Sequence, residues 1–121
     1  MIGWPTRFRD DLASAASEIE VIMAYGYFNR MRTKPGKRDD VVAILLRGTD
    51  GLKTVGCQQY AVSVSDTDPD VILVHEIWAS KQHHDDSLRL PETKAAIAEA
   101  MPMLTGEFAN QEFTVIGGLG I

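Results

Sequence analysis

Apolar and polar residues change their spacing several times along the chain, and each change predicts a different element. Across 20–32 apolar side chains occupy both alternating faces, which predicts a strand that is covered on both sides. Across 37–49 the apolar positions follow helical spacing, and 55–65 returns to the alternation of a strand. The acidic turn 66–70 then leads into a third apolar strand at 71–79.

The second half of the chain predicts one interrupted helix and one short strand. Ser80 is suited to cap a helix N-terminus, and Pro91 interrupts or restarts that helix because proline lacks the backbone N–H. The restarted helix covers 92–104, and the last strand covers 112–116. The apolar spacing predicts that the inner face of the restarted helix consists of five residues: Ala95, Ile97, Ala98, Met101 and Leu104.

This order of elements, strand–helix–strand–strand–helix–strand, is the split βαβ arrangement of ferredoxin-like α+β folds. Its four antiparallel strands form one sheet, with the helices on one face. Because apolar residues occur on both faces of the first strand, we expect a second copy of the chain to cover the other face. The expected assembly is a homodimer whose two sheets close into an α+β barrel.

The first residues of the chain precede this pattern. We expect 1–18 to form an N-terminal extension and 19–121 to form the domain. Thr6 is suited to cap a short helix that runs through Ala16, with Asp10 near its positive end.

Composition and charge exclude several classes of protein. The chain has 121 residues, a net charge of −5 and a pI near 5.1, whereas nucleic-acid-binding domains have pI values above about 9. No apolar run reaches the ~18 residues of a membrane-spanning helix, and the start of the chain lacks the apolar core of a secretory signal. The one cysteine, Cys57, fits a reducing compartment and predicts an inert core thiol. We therefore expect a cytoplasmic protein that binds neither nucleic acid nor membranes.

The candidate chemistry is concentrated where the third strand meets the next helix. Trp78 ends the strand, and it either walls a pocket with its indole N–H as a donor or seals the core. Glu76 lies on the same face, and a carboxylate in such a strand is rarely buried without a partner. It orients a histidine or binds substrate, or else it pairs with Arg30 across the sheet. His75 alternates to the other face, toward the expected dimer.

The following helix start contains four neighbouring groups able to ligate a metal: His83, His84, Asp85 and Asp86. Adjacent helical residues point about 100° apart, and no further acidic or imidazole group completes a set, so a metal site is disfavoured. The two carboxylates suit the positive end of the helix instead. Of the imidazoles, His84 is the better candidate for the pocket, because it lies about one turn from Ser87.

Further candidates lie on the first two strands. Tyr25, Tyr27 and Asn29 share one face of the first strand, and asparagine is disfavoured in strands unless it has a hydrogen-bonding role. Asn29 is either a pocket donor or a partner at a strand end or bulge. Tyr60 is a similar candidate on the second strand, where regular alternation places it on the other face from Cys57.

Six short motifs follow one another along the chain: Lys34-Pro35-Gly36, Gly56-Cys57, Glu76-Ile77-Trp78, Ser80, Pro91 and Leu104-Thr105-Gly106. Each is weak alone, but their order and spacing together are specific. Over about 19–117 the sequence resembles the antibiotic biosynthesis monooxygenase (ABM) family, and within it the quinol monooxygenases.

The resemblance implies a dimeric α+β barrel with one pocket per subunit between sheet and helices. It also implies oxidation of a quinol or polyphenolic aromatic substrate by O₂ without a metal or flavin cofactor. Two positions differ from the family pattern, since Ser87 stands where many members have histidine and Val74 where some have asparagine. In haem-degrading relatives a helix histidine works with a strand asparagine and a tryptophan. His83 and His84 are out of that register, which disfavours haem.

The leading hypothesis is a cofactor-independent monooxygenase. His84 acts as the base because imidazole titrates near neutral pH, Trp78 and Tyr60 hold the ring, and Asn29 stabilises the oxyanion. Three more residues are expected to contact the substrate: Tyr27, Glu76 and Ser87. One alternative is an isomerase of a small oxygenated metabolite, with Glu76 and a histidine as acid and base. The other is a non-catalytic dimeric ligand-binding module.

Overall fold

The computed structural model describes residues 23–121, and this range contains four strands and four α-helices. The strands are β1 (Ala24–Thr33), β2 (Cys57–Val64), β3 (Val71–Trp78) and β4 (Leu104–Val115). The helices are α1 (Arg38–Leu46), α2 (Thr49–Leu52), α3 (Lys81–Ser87) and α4 (Pro91–Ala100). Two short 3-10 helices, Lys53–Val55 and Met101–Met103, precede β2 and β4.

Some expectations fall on the start of the chain. The extension 1–18, its helix from Thr6 to Ala16 and the first residues of the strand predicted at 20–32 lie outside the described residues. The boundary between an extension and a domain at 19 therefore stays a prediction. Within the described range, every helix is too short or too polar to cross a membrane.

The four strands form one antiparallel sheet in the order β2-β3-β1-β4, which confirms the predicted ferredoxin-like α+β fold. In the two central strands Tyr27 pairs with Glu76, and Asn29 pairs with Val74. Paired residues of antiparallel strands point to the same face of the sheet. This register therefore determines which side chains face the helices.

The core between the sheet and α1 combines the alternation of the strands with the helical spacing of α1. Val41 and Ile44 lie on one side of α1 and are buried against Met31, Ile72 and Val74. Each such side chain stabilises the fold by about 1.5–3 kcal/mol through its removal from water. This cluster holds α1 on the sheet and forms an apolar end of the space between the sheet and the helices.

Strand β2 departs from the regular alternation that its sequence predicts. Cys57 pairs with Trp78 and Tyr60 pairs with Glu76, so three steps along β2 match two steps along β3. A bulge between Cys57 and Gln59 takes up the extra residue. The prediction that Cys57 and Tyr60 lie on different faces is therefore wrong, because both face the helices. Burial and the nearby Glu76 carboxylate raise the pKa of the Cys57 thiol to about 11, as befits the inert thiol expected.

Helix α4 presents a different face to the sheet from the one predicted. Its inner side consists of Thr93, Ala96 and Ala100, whereas Ala95 and Ala98 are exposed. Alanine occurs on every side of this helix, so apolar spacing alone carries too little signal to choose between the sides. The prediction of Ala95 and Ala98 as core residues is wrong for this reason.

Strand β4 begins at Leu104, well before the predicted start at 112, and α4 ends at Ala100. All residues across 105–112 are exposed, because this part of β4 lies at the edge of the sheet and pairs with β1 alone. An exposed edge strand needs no alternation of apolar and polar residues. The sequence pattern therefore revealed only the last part of β4.

The face away from the helices carries a smaller apolar cluster. Ala24, Ile77 and Val115 are buried there, and Phe113 packs against them. The Phe113 ring stacks on His75 with their centroids 5.5 Å apart. His75 therefore lies on the face that its alternation with Trp78 predicts.

The packing of Phe113 over Gly26 generates a test of this face. A methyl group at position 26 would overlap the Phe113 ring, so we expect Gly26→Ala to lower the free energy of unfolding by about 1–3 kcal/mol. Gly51→Ala is the matched control, because nothing lies within 4 Å of a Cβ added there and alanine favours a helix by about 0.5–1 kcal/mol. Denaturant unfolding measures both changes, and equal stability of the two variants would contradict this packing.

Candidate active site

A cavity of about 530 Å³ lies between the helix-facing side of the sheet and helices α1, α3 and α4. All seven residues that the sequence singles out for chemistry line this cavity: Tyr27, Asn29, Tyr60, Glu76, Trp78, His84 and Ser87. The seven side chains therefore lie around one cavity, while their roles in binding and catalysis stay predictions. A volume of this size is within the range of small-molecule sites in proteins.

The sheet contributes its polar residues to the cavity through the pairing of three strands. Tyr60 of β2 and Tyr27 of β1 both pair with Glu76 of β3, so the three side chains form one row. Asn29 lies one step further along the same face of β1, opposite Val74. The β2 bulge is what brings Tyr60 into this row, since regular alternation from Cys57 would turn it away.

Helix α3 contributes the imidazole. The Ser80 hydroxyl accepts a hydrogen bond from the His83 backbone N–H at 3.2 Å, which confirms Ser80 as the helix N-cap. His83 turns back toward this cap, with its Nδ1 2.6 Å from Ser80 Oγ. His84 and Ser87, one turn apart, are both buried on the cavity side, and Ser87 Oγ donates to the His84 carbonyl oxygen at 2.6 Å. His84, rather than His83, therefore faces the cavity.

His84 is held among aromatic rings and beside a carboxylate. Its ring centroid lies 5.2 Å from that of Tyr25, 4.9 Å from Tyr27 and 5.7 Å from Trp78. Its Nδ1 lies 3.0 Å from Asp85 Oδ1. A carboxylate at this distance favours the proton on Nδ1, which leaves Nε2 as the acceptor in a neutral imidazole. Among the described residues, no group of three or more His, Cys, Asp or Glu side chains is placed to hold a metal ion.

Glu76 and Trp78 form a hydrogen bond within β3. The Trp78 indole N–H donates to Glu76 Oε1 at 2.9 Å, so this donor is used by the protein rather than directed at a ligand. Burial raises the pKa of the Glu76 carboxyl, while the Trp78 hydrogen bond and nearby His84 oppose that shift. Arg30, the alternative partner of Glu76, pairs with Leu73 and lies on the other face of the sheet.

Two tyrosines and one amide complete the polar end of the cavity. Burial, reinforced by the Glu76 carboxylate, raises the pKa of the Tyr27 and Tyr60 hydroxyls, so both stay protonated donors at neutral pH. The Oδ1 atom of Asn29 is buried without a hydrogen-bond partner among the described residues. An unpaired buried acceptor costs about 1–3 kcal/mol, and such costs concentrate at functional sites. Asn29 is therefore ready to hydrogen-bond a ligand.

Sequence reasoning missed a polar chain at the outer edge of the site. Tyr25 O–H donates to Glu112 Oε2 at 3.0 Å, and Lys81 Nζ donates to the same oxygen at 2.6 Å. Glu112 reaches this place because β4 pairs with β1. Glu112 is the first residue of the strand predicted at 112–116, but local spacing does not reveal which strand it pairs with, so its contacts with Tyr25 and Lys81 were missed.

The prediction that Asp85 and Asp86 lie at the positive start of the helix is wrong, because α3 begins at Lys81 and both carboxylates fall in its last turn. Asp85 is instead the partner of His84 Nδ1.

The buried Glu76 carboxyl predicts a distinctive pH dependence of stability. Its pKa is higher in the folded than in the unfolded state. Between the unfolded pKa of about 4.3 and the raised folded pKa, the folded state binds more protons than the unfolded state, so stability falls as pH rises. Glu76→Gln removes this titration but keeps an oxygen acceptor for the Trp78 N–H. We therefore expect the unfolding free energy of the wild type, relative to that of Glu76→Gln, to fall as pH rises from about 4 to the raised pKa.

Glu112→Gln is the control for this measurement, and it has the opposite sign. Hydrogen bonds from Lys81 and Tyr25 lower the pKa of Glu112, so its contribution is present above the ordinary glutamate pKa and is lost as pH falls through the lowered value. Urea unfolding at a series of pH values measures both differences. Slopes of the same sign for the two variants would contradict the burial of Glu76.

Comparison with known proteins places the chain in a family. Residues 25–99, more than half of the chain, match the sequence model for antibiotic biosynthesis monooxygenases. The chain is 37% identical to a protein of Chloroflexus aurantiacus J-10-fl provisionally assigned to these monooxygenases; the match covers 78% of this chain and 95% of that one, with a TM-score of 0.71. A Caulobacter crescentus CB15 protein with the same provisional assignment is 22% identical, covers 78% and 91%, and has a TM-score of 0.71.

A Mycobacterium tuberculosis protein shares the fold at 18% identity, with 79% and 98% of the two chains covered and a TM-score of 0.69. No curated protein matches this chain. The match across 25–99 and the relative at 37% identity nevertheless agree with each other and with the observed fold. The chain therefore belongs to the antibiotic biosynthesis monooxygenase family.

Proposed function

We propose that this protein is a cofactor-independent monooxygenase that oxidises a quinol or polyphenolic aromatic substrate with O₂. The observation that carries the proposal is the setting of His84. Its imidazole lines a cavity, is surrounded by three aromatic rings, and has its Nδ1 beside Asp85 Oδ1. A base held in this way can remove a phenolic proton, and aromatic walls suit an aromatic substrate.

The two departures from the family pattern support the same function. Ser87 replaces the histidine of many members, but His84 lies one turn earlier and is buried toward the same cavity. Val74 replaces the asparagine of some members, but Asn29 lies directly opposite it on the neighbouring strand. In this chain an imidazole and an amide therefore reach the cavity from positions that lie next to the replaced ones in space.

The proposed reaction needs only the substrate's own electrons. His84 Nε2 takes the proton of a substrate hydroxyl, and the resulting phenolate transfers one electron to O₂. The superoxide then joins a ring carbon of the substrate radical, and the peroxide takes back the proton held by His84 to give a hydroperoxide. This hydroperoxide loses water together with the hydrogen of the same ring carbon, which becomes a carbonyl. One oxygen atom remains in the oxidised product and the other leaves as water, with both of the water's hydrogens derived from the substrate.

The other cavity residues have roles that match their surroundings. The Asn29 Nδ2 group donates a hydrogen bond to the phenolate oxygen, while its Oδ1, which has no partner among the described residues, accepts from a substrate hydroxyl. Trp78 and Tyr60 hold the aromatic ring, while Tyr27 and Ser87 contact its polar groups. Glu76 contributes mainly by positioning Trp78, because its carboxylate accepts a hydrogen bond from the Trp78 N–H.

A second candidate function rests on the carboxyl of Glu76. Burial raises its pKa, and it shares the cavity with His84, so the pair could act as acid and base in an isomerase. Such an enzyme would move protons within its substrate and consume no O₂. Oxygen uptake therefore distinguishes the two functions.

We also propose that two copies of the chain close their sheets into an α+β barrel. Support comes from the face away from the helices, where Phe28 pairs with His75 and lies near the cluster around Phe113. Phe28, Leu73 and Phe113 are only partly buried within one chain. A second sheet laid on this face would remove these side chains from water.

Oxygen uptake with reduced naphthoquinols and anthrones, corrected for autoxidation, tests the proposed reaction. We expect enzyme-dependent uptake that His84→Gln lowers by about 10²–10⁴ in kcat, the usual contribution of a general base. His83→Gln is the matched control, because this neighbouring imidazole contacts Ser80 and does not line the cavity. Equal rates for the two variants would contradict the role of His84, and the absence of uptake with every substrate would contradict the proposed reaction.

Light scattering tests the proposed dimer. At micromolar concentration we expect a mass of about 27 kDa, twice the 13.3 kDa of one chain. Phe28→Asp should shift the mass toward one chain, because it places a charge on the face between the two sheets. Leu46→Asp is the control, since Leu46 is an exposed residue of α1 on the other side of the molecule. A folded wild-type monomer would refute the barrel.

A further inference from the structure

We infer that the substrate carries an aliphatic tail on its hydroxylated aromatic head, and that the tail lies between α1 and α4. This inference rests on the proposed function of the cavity, and it names the class of substrate more narrowly. It follows from the distribution of polar and apolar side chains along the cavity, from the cavity's size and from the nature of its rim.

The cavity face of the sheet changes from polar to apolar along the strands. Successive rows of paired residues across β2, β3 and β1 are Tyr60–Glu76–Tyr27, Val62–Val74–Asn29 and Val64–Ile72–Met31. The first row has three polar groups, the second has one and the third has none. Asn29 is therefore the last polar group before the apolar end.

The helices follow the same division. Helix α3 covers the polar rows, because its His84 contacts the rings of Tyr25, Tyr27 and Trp78. Helices α1 and α4 cover the apolar rows, where Val41 packs with Met31 and Ile72. We call the cavity space between α1 and α4 the apolar arm, because most of its lining is apolar: Ile44, Leu45, Ala96, Ile97, Ala100 and Met101. Its polar lining residues are Thr93 of α4, and Arg47 and Glu92 at the ends of the two helices.

The cavity is larger than a compact aromatic head requires. At ~30 Å³ for each water in the liquid, its 530 Å³ corresponds to about 18 waters, whereas a two-ring quinol has about 12 non-hydrogen atoms. A head placed beside His84 and Asn29 would leave the apolar arm unfilled. A purely polar extension of the substrate would lose its hydration there and find few hydrogen-bonding partners, because most of the lining is apolar.

Much of the cavity rim is apolar, although the exposed residues Arg47 and Glu92 also line the cavity. Leu88, Ile97, Met101 and Phe108 line the cavity, yet each side chain is 42–48% exposed. Four exposed apolar side chains around one opening are typical of a binding site for an apolar ligand. A tail that is longer than the arm would leave the cavity across this rim, still in contact with apolar surface.

Calorimetric binding of a matched series tests the inference without requiring turnover. The probes are 1,4-naphthoquinones with hydrogen, methyl, butyl or decyl at one ring carbon. These oxidised analogues keep the head but lack the electrons that reduce O₂. We expect Kd to fall by about fourfold for each methylene that enters the arm, the equivalent of about 0.8 kcal/mol, and then to level off once the arm is full.

Variants separate the arm from general hydrophobic binding. Ala96→Trp fills the arm, so the ratio of the unsubstituted to the decyl Kd should fall close to one. Ile97→Asn makes the rim polar and should lower the same ratio at least threefold, whereas Leu46→Asn changes an equally exposed leucine outside the cavity and should leave it unchanged. Circular dichroism confirms that each variant is folded before binding is measured.

The outcomes are distinct from those of the oxygen-uptake experiment. Equal binding of the unsubstituted and decyl probes by the wild type, or an equal effect of Ile97→Asn and Leu46→Asn, would overturn the inference. A shift of Ile97→Asn to a lower mass in light scattering would also overturn it, because a second copy would then cover the rim. Chain-length dependence without O₂ uptake from any quinol would support the tail site and refute the proposed reaction.

Discussion

The candidate active site depends on the register between the two central strands. Pairing of β1 with β3 brings Tyr27 beside Glu76 and sets Asn29 one step further along the same face. Because side chains alternate along a strand, a slip of one residue would turn this whole set toward the face away from the helices. Gly26 contributes to the register from the other side, since only a residue without a side chain leaves room there for the Phe113 ring.

The polar residues at this end of the cavity can be buried because they interact with one another. The Glu76 carboxylate accepts the Trp78 N–H, and its remaining cost of burial appears as a raised pKa. His84 is fixed from two directions, by the Asp85 carboxylate at Nδ1 and by Ser87, whose hydroxyl donates to the His84 carbonyl oxygen. These contacts hold the His84 imidazole in place before any ligand enters, which is the preorganisation that its proposed role as a base requires.

Much of this arrangement could be predicted from the sequence, and the exceptions have physical causes. Strand alternation placed Tyr27 and Asn29 on one face, and cap chemistry identified Ser80 and thereby the turn of α3 that directs His84 inward. The bulge before Tyr60 could not be predicted, because it depends on how β2 pairs with β3 and not on local spacing. The partner of the Trp78 N–H was likewise missed, since regular alternation gives the face of a side chain but not its hydrogen bonds.

The proposed roles of Asn29 and His84 require a site to be kept as an arrangement in space and not as a set of sequence positions. Across an antiparallel pair, directly opposed residues have Cβ atoms about 4.5–5.5 Å apart, so an amide at Asn29 reaches nearly the same space as one at Val74 would. Along a helix, residues three apart lie on the same face, so His84 and Ser87 are similarly exchangeable. Each exchange also moves the chemical group a few ångströms along the cavity. With the proposed roles, the exchanges therefore keep an amide and an imidazole in the cavity but change the space between them, and with it the substrate that fits.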